Sequence, residues 1–123
     1  MKILICEDET TLAKVLQEKF EREEFSAITV SNGDEIIPSA KKINPDIILL
    51  DLVMPKLDGL QALALMKKDN DLKNIPVIVL SNLNDDEKIK KALALGAIDY
   101  VVKSNHPINE VVEKVYNYII KIK

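Results

Sequence analysis

The stretch IILLDLVMPKLDG, residues 47–59, runs four apolar residues straight into a carboxylate, Asp51, and then into a loop punctuated by Pro55 and closed by Asp58 and Gly59. Four apolar residues without polar alternation read as a strand buried on both faces, as in a parallel sheet covered by helices on either side. Such a strand delivers its last residue to the rim of the sheet. The question the stretch poses is why the acid arrives there.

Working outward, short apolar runs rich in β-branched residues recur at KILIC (2–6), SAITV (26–30), DIILL (46–50), IPVIVL (75–80) and IDYVV (98–102). Longer segments of helical spacing separate them. Leu12, Val15, Leu16 and Phe20 line one face of a first helix, with Thr10 or Thr11 placed to cap its start and Lys14, Glu18 and Arg22 facing away. A second helix follows Asn32-Gly33, carries Ile36, Ile37 and Ala40, tolerates Pro38 near its start, and ends before Asn44-Pro45. The third, fourth and fifth are expected over about 58–68, 85–95 and 107–121, Gly96 stopping the fourth and Pro107 opening the fifth. Strand and helix alternate throughout, and right-handed crossovers then force parallel pairing. The reading is an α/β fold: a five-stranded doubly wound parallel sheet with helices on both faces.

At 123 residues the chain suits one domain with a substantial core. Its 47% hydrophobic and 30% charged residues are those of a soluble globular protein rather than a disordered one. The single Cys6 has no internal disulfide partner, and the opening MKILIC is too short for a secretory leader, which points to a reducing cytoplasm. No apolar run reaches the length that crosses a bilayer. A net charge of −3 lacks the basic footprint that neutralises phosphate backbones, so direct nucleic-acid binding by this segment is not expected.

In open α/β sheets, ligands bind at the carboxyl ends of the strands. Glu7 and Asp8 follow the first strand, Asp51 the third, Ser81 the fourth and Lys103 the fifth. Three carboxylates crowded on one rim repel one another unless a cation sits between them, and hard oxygen donors select Mg²⁺ or Mn²⁺. Two or three carboxylates with one backbone carbonyl from the loop after Asp51 suffice for Mg²⁺. Lys103 adds a compact positive charge and Ser81 a hydroxyl, which suit a phosphoryl group arriving on Asp51 as nucleophile. A lone Asp after a strand is usually a turn residue. Turn chemistry does not explain acids after two strands together with Ser and Lys after two others.

These residues resemble the receiver domain of bacterial two-component response regulators over essentially the whole chain. The resemblance is carried by ILICEDE, DIILLDLVMPKLDG, IPVIVLSN and ALGAIDYVVK, in that order. It implies a flavodoxin-like sheet of order 2-1-3-4-5 and one receiver domain over residues 1–123. Asp51 would accept a phosphoryl group from the phosphohistidine of a sensor kinase or phosphotransfer protein, the chain catalysing only its own phosphorylation and slow dephosphorylation. Glu7, Asp8, Asp51 and the Val53 carbonyl would hold Mg²⁺, with Asp8 ligating directly and Glu7 directly or through a water. Ser81 and Lys103 would contact the phosphoryl oxygens, and Tyr100 would swing inward as Ser81 is drawn toward them. The face made by the fourth helix, fifth strand and fifth helix would dock an output domain, a partner or a second copy. Two positions depart from the family pattern: Glu7 stands where Asp is more usual, and Ser104 where a proline commonly follows the lysine.

Three rival functions share parts of this pattern. A phosphatase of the haloacid dehalogenase type needs Asp-x-Asp after the first strand, which Glu7-Asp8-Glu9-Thr10 does not supply. A flavin carrier needs a first loop rich in Ser, Thr and Gly to cradle phosphate, where acids repel it. A phosphorylation-independent interaction module has no use for the intact acid set. Cys6 reads as a small buried hydrophobe, His106 as a solvated loop residue and the run KIKK, 88–91, as solvated charge.

Overall fold

The computed structural model describes residues 1–122. Strand β1 (Lys2–Cys6) leads into helix α1 (Thr10–Arg22), β2 (Ser26–Val30), α2 (Ile36–Ile43), β3 (Ile47–Leu50), α3 (Gly59–Lys68), β4 (Val77–Ser81), α4 (Asp86–Ala94), β5 (Asp99–Val102) and α5 (Ile108–Ile122). The strands pair in parallel in the order β2-β1-β3-β4-β5. This is the flavodoxin-like topology, and the sheet reverses its winding between β1 and β3.

The unbroken apolar runs are explained by two cores, one on each face. Leu4, Ile48, Leu50, Val77 and Val79 point toward α2, α3 and α4, among Ile36, Ala40, Leu63, Met66 and Ala92. Ile3, Ile5, Ile47, Leu49, Ile78 and Leu80 point the other way, toward Leu16 and Phe20 of α1 and Val111, Val115 and Ile119 of α5. All four residues of β3 are buried, so its neighbours fix its register from both sides. Cys6 is 1% exposed and packs as an apolar residue. Among the described residues no helix is long and apolar enough to cross a membrane.

Helix boundaries follow local chemistry with one correction. Asn44 ends α2 in the left-handed conformation, φ 48°, and Asp58 and Asp85 cap α3 and α4 by accepting the backbone N–H of Gln61 and Lys88. The expected threonine cap of α1 is not made. Thr10 and Thr11 lie inside the first turn, and the capping position is Glu9, which has no side-chain cap bond. Glu9 is fixed instead through its backbone N–H, which donates to Glu7 Oε2 at 3.0 Å.

Candidate functional site

The sheet ladder itself carries the acids to one rim. Cys6 lies opposite Leu50 across β1 and β3. Pairing runs one step further into the loops: Asp51 N–H donates to the Cys6 carbonyl and Glu7 N–H to the Val30 carbonyl, both at 3.0 Å. On the other side Ser81 lies opposite Val102, which places Lys103 one residue beyond the end of β5. Five sequence positions scattered over nearly 100 residues are therefore set side by side by strand register alone.

Glu7, Asp8 and Asp51 each bring a carboxylate oxygen within 4.8 Å of the other two. Glu7 and Asp51 are 3% and 5% exposed, whereas Asp8 is open to solvent. The Lys103 ammonium donates to Glu7 Oε1 at 2.6 Å and to Asp51 Oδ2 at 2.7 Å. The other Asp51 oxygen accepts the Val53 N–H at 3.1 Å. Burial pushes the Glu7 carboxyl above its usual pKa, although the hydrogen bond from Lys103 pulls the other way. For Lys103, burial works against the charge, but the hydrogen bonds to Asp51 and Glu7 outweigh it and the pKa rises.

Three carboxylates and one ammonium leave two negative charges on the rim, which a divalent cation would balance. A Mg–O distance of about 2.1 Å requires ligand oxygens roughly 3 to 4 Å apart, close to the spread of these three acids. Hard oxygens, one of them on solvent-exposed Asp8, fit Mg²⁺ or Mn²⁺ and give such an ion a route in.

Ser81 is fully buried at the end of β4, its hydroxyl accepting the Leu83 N–H at 3.3 Å. Tyr100, half-buried on β5, packs against the core beneath α4, and its hydroxyl donates to the Leu83 carbonyl. Burial raises the Tyr100 phenol pKa, with the Ser81 hydroxyl acting in the opposite direction. The loop after Ser81 is thus held from both strands. Val53 and Leu83 line a cavity of about 230 Å³ on one side of the acids, and Lys103, Asn82 and Ser104 line one of about 250 Å³ on the other. A larger cavity of about 450 Å³ beside Lys19, Arg22 and Tyr116 lies away from the acids, so volume alone does not locate the site.

Sequence reasoning brought Glu7, Asp8, Asp51, Ser81 and Lys103 to one rim but missed three contacts. The direct Glu7–Lys103 ion pair joins residues too far apart in sequence for spacing to reveal it. His106, a partly exposed loop residue, brings its Nδ1 within 2.6 Å of Glu110 Oε1 in the first turn of α5. The Ser104 N–H donates to Asn82 Oδ1 at 2.9 Å, a bond that a proline at position 104 would not make.

A family model for the response regulator receiver domain matches residues 3–116. The chain belongs to that family. It is thus a receiver domain of two-component systems. This receiver is 37% identical over 106 residues to a probable transcriptional regulator, ycf27, of Guillardia theta, a match covering 86% of this chain and 41% of that protein. The receiver spans about two fifths of the length of the curated relatives it matches. Among solved structures, the receiver domain of Francisella response regulator 1452 superposes with a TM-score of 0.89 at 31% identity, covering 99% of this receiver and 98% of that chain. Response regulator Rcp1, solved in a Mn²⁺-bound form, gives a TM-score of 0.80 at 28% identity, covering 94% and 89%.

Proposed function

We propose that residues 1–123 act as one phosphoacceptor domain, in which Asp51 takes a phosphoryl group from the phosphohistidine of a sensor kinase or phosphotransfer protein. The observation that carries this reading is the Lys103 ammonium bridging Asp51 and Glu7 beside Asp8. In the transfer, an Asp51 carboxylate oxygen forms the new bond to phosphorus. The P–N bond of the donor breaks, and its electron pair leaves with the imidazole. The product is a mixed anhydride on Asp51.

Glu7, Asp8, Asp51 and the Val53 carbonyl would hold Mg²⁺, which when bound neutralises charge on the phosphoryl oxygens. Exposed Asp8 would ligate directly, and Glu7, one methylene longer than Asp, would act directly or through a water. Lys103 is in place to follow the charge from the carboxylate to the phosphoryl group, and the Ser81 hydroxyl supplies a further donor. Drawing Ser81 toward the phosphoryl group pulls on the loop carrying Leu83, to which the Tyr100 hydroxyl is fastened. That coupling would convert a local charge into a change at α4, β5 and α5, where exposed Leu93 offers apolar surface to an output partner or a second copy. The domain would work in the cytoplasm, with which the free Cys6 is in keeping.

The test is intact-mass measurement after incubation with acetyl phosphate. One phosphoryl adduct is expected with Mg²⁺ or Mn²⁺, none with a chelator, and none in Asp51→Asn under either condition. An adduct that persists in Asp51→Asn, or a full yield without metal, would overturn the assignment.

Val53, 55% exposed, and half-buried Leu83 stand two residues beyond Asp51 and Ser81, and neither side chain carries a polar group to orient an attacking water. Self-dephosphorylation is therefore expected to be slow. Val53→Asn combined with Leu83→Glu should shorten the adduct's lifetime by about tenfold or more, the scale on which a positioned base contributes. An unchanged lifetime would show that water access is set elsewhere.

A further inference from the structure

The β4–β5 ladder ends at the pair Ser81 and Val102. The next residue on each strand is outside the sheet, yet the two loops remain joined: Asn82 Oδ1 accepts the Ser104 N–H at 2.9 Å. Lys103, Ser104 and Asn105 form a single 3₁₀ turn whose capping residue, Val102, offers no side-chain acceptor. The first N–H groups of such a turn have no partner within it. Asn82 thus caps a turn on a neighbouring strand, and the capped residue is the immediate neighbour of Lys103.

The consequence lies in the reach of the ammonium. Lys103 bridges two buried carboxylates through four rotatable side-chain bonds, and a shift of its backbone is felt at both contacts. On the strand side its backbone is fixed by β5; on the far side the bond to Asn82 ties it to the residue after Ser81. We propose that Asn82 is a positioning residue for phosphoryl transfer, holding the turn that carries Lys103 at a set distance from Ser81 so that ammonium and hydroxyl converge on Asp51. Asn82 and Ser104 are both exposed and line the 250 Å³ cavity together with Lys103, so the bond is made at the surface and is dispensable to the core.

This inference rests on the roles given above to Asp51 and Lys103, and its test separates the two. Amide hydrogen exchange reads the bond directly. Asn82→Ala should speed exchange at Ser104 by about threefold to tenfold, the range one net hydrogen bond supports, and Asn82→Asp, which keeps an acceptor oxygen, should not. Phosphoryl uptake from acetyl phosphate with Mg²⁺ should slow by a similar factor in Asn82→Ala and recover at least in part in Asn82→Asp, with urea midpoints within error of the parent. In a Lys103→Ala background, Asn82→Ala should have no further effect on uptake, because the group through which it acts is gone. Unchanged Ser104 exchange, unchanged uptake, or an effect that adds in full to that of Lys103→Ala would each overturn the proposal. Failure of the phosphoacceptor reading looks different: the parent protein itself would take up no phosphoryl group.

Discussion

Lys103→Met is expected to slow phosphoryl uptake from acetyl phosphate by about 10² to 10³, the usual cost of deleting one preorganised charge-stabilising group. With metal chelated, the same substitution should also lower stability by about 3 kcal/mol, because it leaves two buried carboxylates facing each other without the ammonium that joins them. Glu7 decides how that loss depends on pH. Its folded-state pKa is already raised by burial, and Lys103 is the partner that pulls it back. Without Lys103 it rises further above the unfolded value, so a proton bound to Glu7 favours the folded state. The penalty is then fully present above the raised pKa and shrinks as pH falls through it. Urea midpoints for parent and variant should lie furthest apart above the raised Glu7 pKa and converge as the pH falls through it; added Mg²⁺ should also narrow the gap by supplying the missing positive charge. A gap that widens on acidification, or one that Mg²⁺ leaves untouched, would show that the loss comes from packing of the lysine stem rather than from unpaired acids.

The two-sided core made most of the fold legible. Strands β1 and β2 span KILIC and SAITV; in β1 residues 3–6 are buried on both faces and leave no alternation to misread, whereas edge strand β2 is buried at Ala27 and Val30 and exposed at Ser26 and Ile28. The start of β4 was less clear. Ile75 is buried and apolar like a strand residue, yet its N–H closes a turn onto the Leu72 carbonyl, and pairing with β3 begins at Val77. The cap of α1 was misplaced because Glu9, Thr10 and Thr11 are all polar, and what selects Glu9 is a tether from Glu7 that sequence spacing does not show. The site divides in the same way. Register brings Glu7, Asp51, Ser81 and Lys103 together, and the strand-end rule anticipates that. Which acid the lysine grips, and the bond from Asn82 to Ser104, depend on side-chain directions that no local pattern encodes.

The second large effect concerns Gly33, which lies far from Asp51 in sequence but abuts its loop. A Cβ built on Gly33 would fall 1.6 Å from the Leu57 carbonyl oxygen and 2.5 Å from its carbon, both backbone atoms that cannot rotate away. The Gly33 N–H donates to the Pro55 carbonyl at 2.9 Å, as does that of Leu57, and Lys56 between them is held at φ 74°. The loop after Asp51 is therefore clamped onto the start of the segment leading to α2, and only the missing side chain allows the approach. Gly33→Ala must part the two segments and lose the Pro55 bond, at a cost of about 3 kcal/mol or more, at the upper end for overpacked sites. Because the displaced loop also carries the Val53 N–H that orients Asp51, phosphoryl uptake should fall even where the variant remains folded. Urea unfolding should show a lower midpoint with an unchanged slope, and uptake should be measured well below that midpoint. A loss under about 1 kcal/mol would mean that the two loops separate freely, and the clamp would then have no part in holding Asp51 toward the rim.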